Sequence, residues 1–294
     1  MSELKEYLQE LIAEVDSALD AHLPAETIAP ETIHKSMRYS IFAGGKRLRP
    51  VFVLAAAEAI GADRSVAIDA ACAVEAMHTY SLIHDDLPAM DDDELRRGRP
   101  TNHIVFGDAI AILAGDALLN ESFALVAKTE ATSRYSGVDF VKELSTAGNS
   151  EHLIGGQVMD IEAEGKSISR EALARIHDTK TAALLTTSIR LGAMAANASP
   201  VQLSCLSRFG RATGHAFQVI DDILDVTADT ETLGKTAGKD LVSEKSTYPS
   251  LLGLEGAKAE AMRLTKEAHQ ALDELDGDTM RLRQIADYLL DRKF

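Results

Sequence analysis

The chain has 294 residues, and 46% of them are hydrophobic, which is enough to bury one large core or two smaller ones. A formal net charge of −16 argues against nucleic acid as a partner, because phosphate backbones bind basic surfaces. The two cysteines, Cys72 and Cys205, lie far apart in apolar surroundings and favour a reducing compartment over a disulfide framework. We therefore expect a cytoplasmic protein.

The N-terminal residues 1–20 form an acidic amphipathic pattern that lacks the basic and apolar regions of a signal peptide. No run of 18 apolar residues occurs, and Gly115 and Asp116 interrupt the apolar stretch 109–119. These features predict a chain without a signal peptide or a transmembrane segment.

Helical periodicity, with apolar residues three and four positions apart, continues along most of the chain. The predicted helices cover residues 4–20, 30–45, 49–60, 65–86, 109–129, 170–197 and 201–226. Several of them are apolar nearly all round, which is typical of helices buried inside a large bundle. The alternating patterns of strands are absent. We predict a single all-α domain, a helical bundle, over residues 1–294.

Residues 227–249 form a long connection that is rich in glycine, threonine and lysine. Connections of this length without secondary structure of their own are uncommon unless they are functional. We therefore expect a mobile functional loop here rather than a linker between domains.

A first aspartate cluster contains Asp85, Asp86 and Asp91. Pro88 breaks the helix here, because proline removes a backbone donor and clashes with the preceding turn. The chain after the break can curl back toward Asp85, although geometry alone leaves Asp91 and Asp92 as alternatives. Taken alone, a solvated acidic loop at a helix end explains this cluster equally well.

A second cluster contains Asp221, Asp222 and Asp225 inside an apolar helix. Asp221 and Asp225 are one turn apart and share a helix face, where like charges destabilise the helix. The neighbouring residues are largely apolar, so this is not simply a solvated face. Two such clusters predict a shared site for a divalent cation. Mg²⁺ fits best, because it prefers a few carboxylates together with phosphate oxygens and water.

Two basic segments are candidates for binding anions. The first, GGKRLRP, contains Lys46, Arg47 and Arg49, and the second, RRGRP, contains Arg96, Arg97 and Arg99. Further lysines are Lys180, Lys235, Lys239 and Lys245. Because arginine binds phosphate oxygens bidentately, these residues and the aspartates predict a pocket for two anions, one bridged through Mg²⁺ and one held directly by cations. For Arg47, Arg99 and Lys239 we expect ion pairs with neighbouring acids instead.

Two histidines lie close to the first cluster. His78 precedes Asp85 by seven residues on the same helix face. The residues leave open whether it is a satisfied core histidine or a donor to a phosphate. The pair His84-Asp85 resembles that of the HD metal phosphohydrolases, another all-α class, but that class does not explain the second aspartate cluster.

The order of these motifs resembles the trans-isoprenyl diphosphate synthases along nearly the whole chain. The matching segments are GGKRLRP, HDDLPAMDDDELRRGRPTNH, AGDALL, GGQVMD, KTAALL, FQVIDDILD and GKDLVSEKSTYP. The four residues LPAM inside the first cluster resemble the bacterial farnesyl diphosphate synthases and the plant-type geranylgeranyl diphosphate synthases. The resemblance implies an all-α bundle, usually a homodimer, in which the two clusters face each other across a central cavity.

The resemblance also implies roles for individual residues. The Mg²⁺ ligands would be Asp85, Asp91 and Asp221, supported by Asp86, Asp222 and Asp225. The isopentenyl diphosphate head group would be held by Lys46, Arg49, His78 and Arg97. The allylic diphosphate would be held by Arg96, Lys180, Lys235 and Lys245. Lys180, Thr181 and Gln218 would stabilise the reacting carbons, and the family motif selects Asp91 over Asp92.

The implied reaction ionises an allylic diphosphate, adds the double bond of isopentenyl diphosphate to the cation, and releases a proton to the departing diphosphate. In the family pattern, Tyr80 with Ser81 beside it is associated with a C15 product, farnesyl diphosphate. A smaller residue at position 80 is associated with C20, so Tyr80 is expected to close the cavity floor, unless it is an ordinary core residue.

Three alternatives remain at this stage. One is a geranylgeranyl (C20) diphosphate synthase. Another is a class I terpene cyclase, which normally carries a different second metal motif and an aromatic pocket, whereas only 5% of this chain is aromatic. The third is a non-catalytic regulatory subunit, which would tend to lose the aspartates that this chain retains.

Overall fold

A computed structural model describes residues 2–227 and 246–290. Its helices are α1 (Ser2–His22), α2 (Glu31–Ile41), α3 (Leu48–Ala59), α4 (Ile68–Asp85), α5 (Asn102–Phe106), α6 (Asp108–Val126), α7 (Gly137–Gly148), α8 (Leu153–Ala163), α9 (Arg170–His177), α10 (Ala183–Ala195), α11 (Pro200–Thr227), α12 (Tyr248–Asp273) and α13 (Met280–Leu290). A short 3₁₀ turn, Arg64–Ala67, precedes α4. The predicted all-α fold is confirmed.

The core is organised around α4, which packs against α3 and α6, while α10 packs against α3 and α11. Phe52 and Phe209 are fully buried and meet edge to face, with ring centroids 6.1 Å apart. A second apolar cluster joins α9, α11 and α12. The end of α4, where the first aspartate cluster begins, and the last turns of α11, which carry the second, are therefore anchored in the core.

The helix predicted over residues 170–197 is interrupted by a π-helical turn, Asp178–Ala182, between α9 and α10. Close packing of glycines surrounds this turn. A Cβ atom on Gly156 would overlap the backbone of Lys180, and one on Gly214 would lie 2.7 Å from the Cα atom of Ala182. The periodicity of the sequence does not reveal the turn, because a single π-turn barely disturbs the apolar pattern.

The structure also contains a small antiparallel ribbon that we did not predict, formed by β1 (Leu95–Arg96) and β2 (Arg99–Pro100). Its two central residues, Arg97 and Gly98, have positive φ angles of 55° and 73°. That combination is typical of a type I′ hairpin turn. Strand pairs this short leave no alternating pattern in the sequence.

Two stretches, Arg64–Asp85 and Asp108–Val126, are long and apolar enough to cross a membrane by length and composition. Core helices of globular proteins have the same length and composition. In the first stretch, 67% of an 18-residue apolar window is buried within the protein. Only 39% of the second is buried, because α6 leaves apolar side chains such as Leu113 exposed. The absence of a transmembrane segment stays a prediction.

Candidate active site

The first aspartate cluster folds back on itself, as the sequence predicts. Helix α4 ends at Asp85, and the backbone N–H of Asp91 donates to the carbonyl of Asp85 at 2.8 Å. The N–H of Asp93 donates to the carbonyl of Asp86 at 3.2 Å. The tight turn around Pro88 thus returns Asp91 to the end of the helix.

The two adjacent carboxylates of this cluster have different surroundings. Burial, together with the charges of Asp91 and Asp86, raises the pKa of Asp85 to about 6. Asp86 is only 3% exposed, and the Nε atom of Arg96 donates to it at 2.8 Å. Neighbouring residues on a helix point about 100° apart, so the two carboxylates meet different neighbours.

Three further acidic residues, Asp92, Asp93 and Glu94, follow the first cluster and differ in exposure. Asp92 and Glu94 are exposed. Asp93 is partly buried, and its carboxylate lies 3.6 Å from the Nη2 atom of Arg96. Asp93 therefore contributes to holding Arg96, which we did not anticipate.

The hairpin turn sends the neighbouring arginines in different directions. Arg97 donates from Nη1 to the carbonyl of Gly44, in the first basic segment. A Cβ atom on Gly45 would lie only 2.5 Å from the Cζ atom of Arg97, and Gly45 itself has a φ of 121°. Glycine at position 45 therefore provides both the backbone conformation and the space for Arg97.

Arg49 and His78 form the centre of a cationic cluster with Arg97. The Nη1 atom of Arg49 lies 3.2 Å from the Nε2 atom of His78. Because a guanidinium can only donate, His78 accepts at Nε2 and carries its proton on Nδ1. Burial and the nearby arginines lower the pKa of His78 well below its usual value, and burial lowers the pKa of Arg49 to about 10. Lys46, in the same segment, is exposed.

Arg47 forms the ion pairs that we predicted. It is buried, and it donates to Glu75 at 2.7 Å, to Asp16 at 2.8 Å and to the carbonyl of Ile41 at 2.6 Å. For Arg99 no acidic partner is found among the described residues, and its guanidinium lies over the ring of Tyr39, 4.4 Å from the centroid.

The second cluster lies in the last turns of α11. Asp222 is buried and bound from two sides, by the backbone N–H of Tyr248 at 3.0 Å and by the side-chain amide of Gln218 at 3.2 Å. Asp225 is also buried, yet neither of its carboxylate oxygens has a hydrogen-bond partner among the described residues. A buried carboxylate without a partner is costly, and a cation would relieve that cost. Asp221 is more accessible than both.

The π-helical turn positions Lys180 and Thr181. Lys180 donates to the carboxylate of Asp160 on α8 at 2.6 Å. The Thr181 hydroxyl donates to the side-chain Oε1 atom of Gln218 at 2.9 Å. Gln157, three residues before Asp160, has a buried side-chain amide with no partner among the described residues. The GGQVMD segment places these two side chains on one helix face, a spacing that could have identified them from the sequence.

Tyr80 is 5% exposed, and its hydroxyl has no hydrogen-bond partner in the part of the chain that the structure describes. Its ring meets that of His84 edge to face, at a centroid distance of 5.8 Å. The Nε2 atom of His84 lies 3.0 Å from the carbonyl oxygen of Ile112 and 3.9 Å from the Oδ1 atom of Asp116. Ser81 donates to the carbonyl of His78 at 2.9 Å.

The described site residues converge from α3, α4, the hairpin, the π-turn and α11. Residues from different elements are close enough to affect each other's pKa values. The charge of Lys180 lowers the pKa of Asp85, against the larger effect of burial. The charge of Asp221 raises the pKa of Arg49, again against the larger effect of burial. Among the described residues, no three His, Cys, Asp or Glu side chains are close enough to hold a metal ion by themselves. Lys235, Lys239 and Lys245, with most of the predicted loop 227–249, lie outside the described residues.

Comparisons with known proteins identify the family of the chain. The polyprenyl synthetase family model matches residues 30–286. The chain is 49% identical over 291 residues to a chloroplastic geranylgeranyl pyrophosphate synthase of Capsicum annuum, covering 98% of this chain and 78% of that protein. It is 47% identical over 265 residues to the farnesyl diphosphate synthase of Bacillus subtilis, covering 90% of each.

A solved structure shares the fold. The geranyltransferase of Helicobacter pylori, complexed with magnesium and isoprenyl diphosphate, superposes with a TM-score of 0.84 at 35% identity, covering 97% of this chain and 96% of that one. Matches of this extent establish common ancestry as well as a common fold. The chain therefore belongs to the polyprenyl synthetase family of trans-prenyltransferases, the trans-isoprenyl diphosphate synthases.

Proposed function

We propose that this protein condenses isopentenyl diphosphate with dimethylallyl and geranyl diphosphate to give farnesyl diphosphate. The observation that carries this proposal is the juxtaposition of two unlike subsites. One is the cationic cluster of Arg49, His78 and Arg97, and the other is the pair of aspartate clusters with Lys180. Burial lowers the pKa of Arg49, and the charge of Asp221 partly opposes that effect, so the two subsites lie close enough for two diphosphates to bind side by side.

The aspartates suit Mg²⁺. Among the described residues, nothing donates to the carboxylate of Asp225, and burial raises the pKa of Asp85, so a bound cation would stabilise the charged form of both. We assign Asp85, Asp91 and Asp221 as the principal ligands and Asp86, Asp222 and Asp225 as their support. When bound, Mg²⁺ would neutralise charge on the allylic diphosphate as the C–O bond breaks.

The allylic half-site would be completed by Arg96 and Lys180, with Lys235 and Lys245 as further proposed contacts. Asp86 accepts from the Nε and Nη2 groups on one edge of the Arg96 guanidinium, which leaves the Nη1 hydrogens for diphosphate oxygens. These cations stabilise the leaving group where its charge grows. Thr181 and Gln218, already joined by a hydrogen bond, would lie beside the allylic cation.

The second half-site would bind isopentenyl diphosphate directly through Lys46, Arg49, His78 and Arg97. The Nε2 atom of His78 faces Arg49, so Nδ1–H is its donor to a phosphate oxygen. Apolar surroundings keep water from the cation before the double bond of isopentenyl diphosphate attacks it.

For the product length we propose C15, with geranylgeranyl diphosphate (C20) as the alternative, because the relatives include synthases named for both products. The support is Tyr80, buried about one and a half turns before Asp85, with Ser81 beside it. Replacing the ring (Tyr80→Ala) should lengthen the product. Tyr80→Phe is the matched control, because the hydroxyl makes no described hydrogen bond, and it should retain C15.

We further propose a cytoplasmic homodimer. Helices α5 and α6 expose a row of apolar side chains, Ile104, Val105, Ile112 and Leu113, each between 44% and 52% exposed. Large apolar side chains exposed on two neighbouring helices are typical of a protein interface. Light scattering after size-exclusion chromatography would show twice the chain mass of 31.6 kDa.

The reaction can be tested with radiolabelled isopentenyl diphosphate, Mg²⁺, and dimethylallyl, geranyl or farnesyl diphosphate as primers, followed by sizing of the products. The proposal predicts C15 from the first two primers and little elongation of the third. Elongation of all three to C20 would support the alternative. A cyclic hydrocarbon would indicate a cyclase, and no elongation with any primer would refute the proposed function.

A further inference from the structure

The π-helical turn Asp178–Ala182 is held on two sides by close backbone packing. Gly156 of α8 faces the backbone of Lys180, and Gly214 of α11 faces Ala182. Such turns are uncommon and often lie at functional sites. Small shifts of this turn would move Lys180 and Thr181 together, because both belong to it.

One further contact holds the start of the turn. The Nε2 atom of His215, on α11, lies 3.1 Å from the Oδ1 atom of Asp178. A carboxylate can only accept, so Nε2 carries the proton. This hydrogen bond lowers the pKa of Asp178, as do the charges of His215 and Arg211. The Nε atom of Arg211 lies 3.7 Å from the same oxygen, although its side chain is largely exposed.

Helix α11 therefore contacts the π-turn through two side-chain hydrogen bonds. His215 binds Asp178 at the start of the turn, and Gln218, three residues later on the same helix face, accepts from Thr181. The amide of Gln218 also donates to Asp222. The row 215–218–222 thus connects the turn to the second aspartate cluster through a single rigid helix.

The two contacts differ in their surroundings. Asp178 and His215 line a cleft of about 980 Å³ between α7, α10, α11 and α12. Lys180 and Thr181 do not line this cleft. The Asp178–His215 pair therefore acts on the turn from outside the proposed substrate site, and neither residue is placed to touch a substrate.

We infer that Asp178 and His215 are positioning residues, whose hydrogen bond holds the π-turn so that Lys180 and Thr181 meet the allylic diphosphate. This inference rests on the proposed allylic role of Lys180 and Thr181. His215 lies six residues before Asp221 and outside the sequence motifs that match the family, so the sequence alone gives it no role.

The test compares three variants with the wild type. His215→Leu removes the donor, and His215→Gln retains an N–H near the same position. His269→Leu is the matched control, because His269 binds Asp287 in the same way, at 2.7 Å, between α12 and α13. We expect His215→Leu to lower kcat about tenfold and to raise the KM of the allylic substrate, with the KM of isopentenyl diphosphate unchanged. His215→Gln and His269→Leu should stay within about twofold of the wild type.

A second readout does not depend on activity. Amide hydrogen exchange in the peptide over residues 178–182 should be faster in His215→Leu than in the wild type, and unchanged in His269→Leu. Unchanged exchange in His215→Leu would overturn the inference, whatever the activity. So would a loss that Gln does not rescue, or one that affects both substrates equally. If the wild type elongates no primer, the proposed function fails, while the exchange rates still decide whether the pair holds the turn.

Discussion

Asp86 and Asp222 each follow another aspartate directly, and each is buried, 3% and 4% exposed respectively. Asp86 binds the guanidinium of Arg96. Asp222 instead binds a backbone N–H at the start of α12 and the amide of Gln218. The more accessible partner in each pair is the first aspartate, Asp85 or Asp221.

The two Asp-Asp pairs share the same pattern of exposure, but the buried aspartate has a different structural role in each pair. Helix geometry turns adjacent side chains about 100° apart, so the two carboxylates of each pair meet different neighbours, and the first is the more accessible to a ligand. The other is available for the protein itself. In the first cluster it orients a cation of the proposed allylic half-site, and in the second it fixes the helix that follows residues 228–245.

The largest expected effect is on kcat, when the first aspartate of either Asp-Asp pair is replaced. Asp85→Asn and Asp221→Asn should each lower kcat about 100- to 1,000-fold, because each removes negative charge where the metal and diphosphate would bind. The thermal midpoint should change little or rise, since repulsion is relieved. Steady-state kinetics with thermal unfolding measures both, and a large drop in the midpoint with intact kcat would contradict the assignment.

The metal requirement should depend on pH through Asp85. Its folded pKa of about 6 is above the usual value, so the carboxylate is protonated below pH 6 and a cation must displace that proton. The Mg²⁺ concentration for half-maximal activity should rise about tenfold per pH unit below 6, and level off above it. A flat dependence between pH 5 and 7 would contradict the burial of Asp85.

Asp86→Asn tests the first of the two supporting roles. The change keeps the shape but removes the charge that holds Arg96, so the KM of the allylic diphosphate should rise about tenfold. The KM of isopentenyl diphosphate should stay near the wild-type value, because Arg97 is held by Gly44 instead. An equal increase for both substrates would show that Asp86 supports the whole site.

Asp222→Asn tests the second supporting role, through stability. An amide can present only one acceptor oxygen, so either the N–H of Tyr248 or the amide of Gln218 loses its partner. We expect the free energy of unfolding to fall by about 1–3 kcal/mol, measured by urea denaturation. Asp225→Asn is the matched control, because Asp225 has no described hydrogen bond to lose, and it should not destabilise the protein.

Much of this arrangement follows from the sequence. Apolar periodicity predicts the long helices, and Pro88 predicts the break that returns Asp91 to Asp85. The buried ion pairs of Arg47 also follow from a simple rule, because a cation in an apolar segment of an acidic chain needs a partner.

The remaining features depend on tertiary contacts that leave little local signal. Arg97 adopts a positive φ that favours glycine, so the hairpin depends on its contact with Gly44. His215 and Asp178 are 37 residues apart, and only the packing of α11 against the π-turn brings them together. Which aspartate of each pair is accessible to a ligand and which binds the protein likewise depends on the neighbours of each side chain.

The central claim is that the two aspartate clusters act together, through Mg²⁺, on one allylic diphosphate. Calorimetric titration with geranyl diphosphate whose bridging oxygen is replaced by sulfur, so that it does not ionise readily, measures this most directly. We expect tight binding with Mg²⁺, weak binding without it, and the same weak binding in Asp85→Asn and in Asp221→Asn. Equal affinity with and without Mg²⁺, or a loss in only one of the two variants, would contradict it.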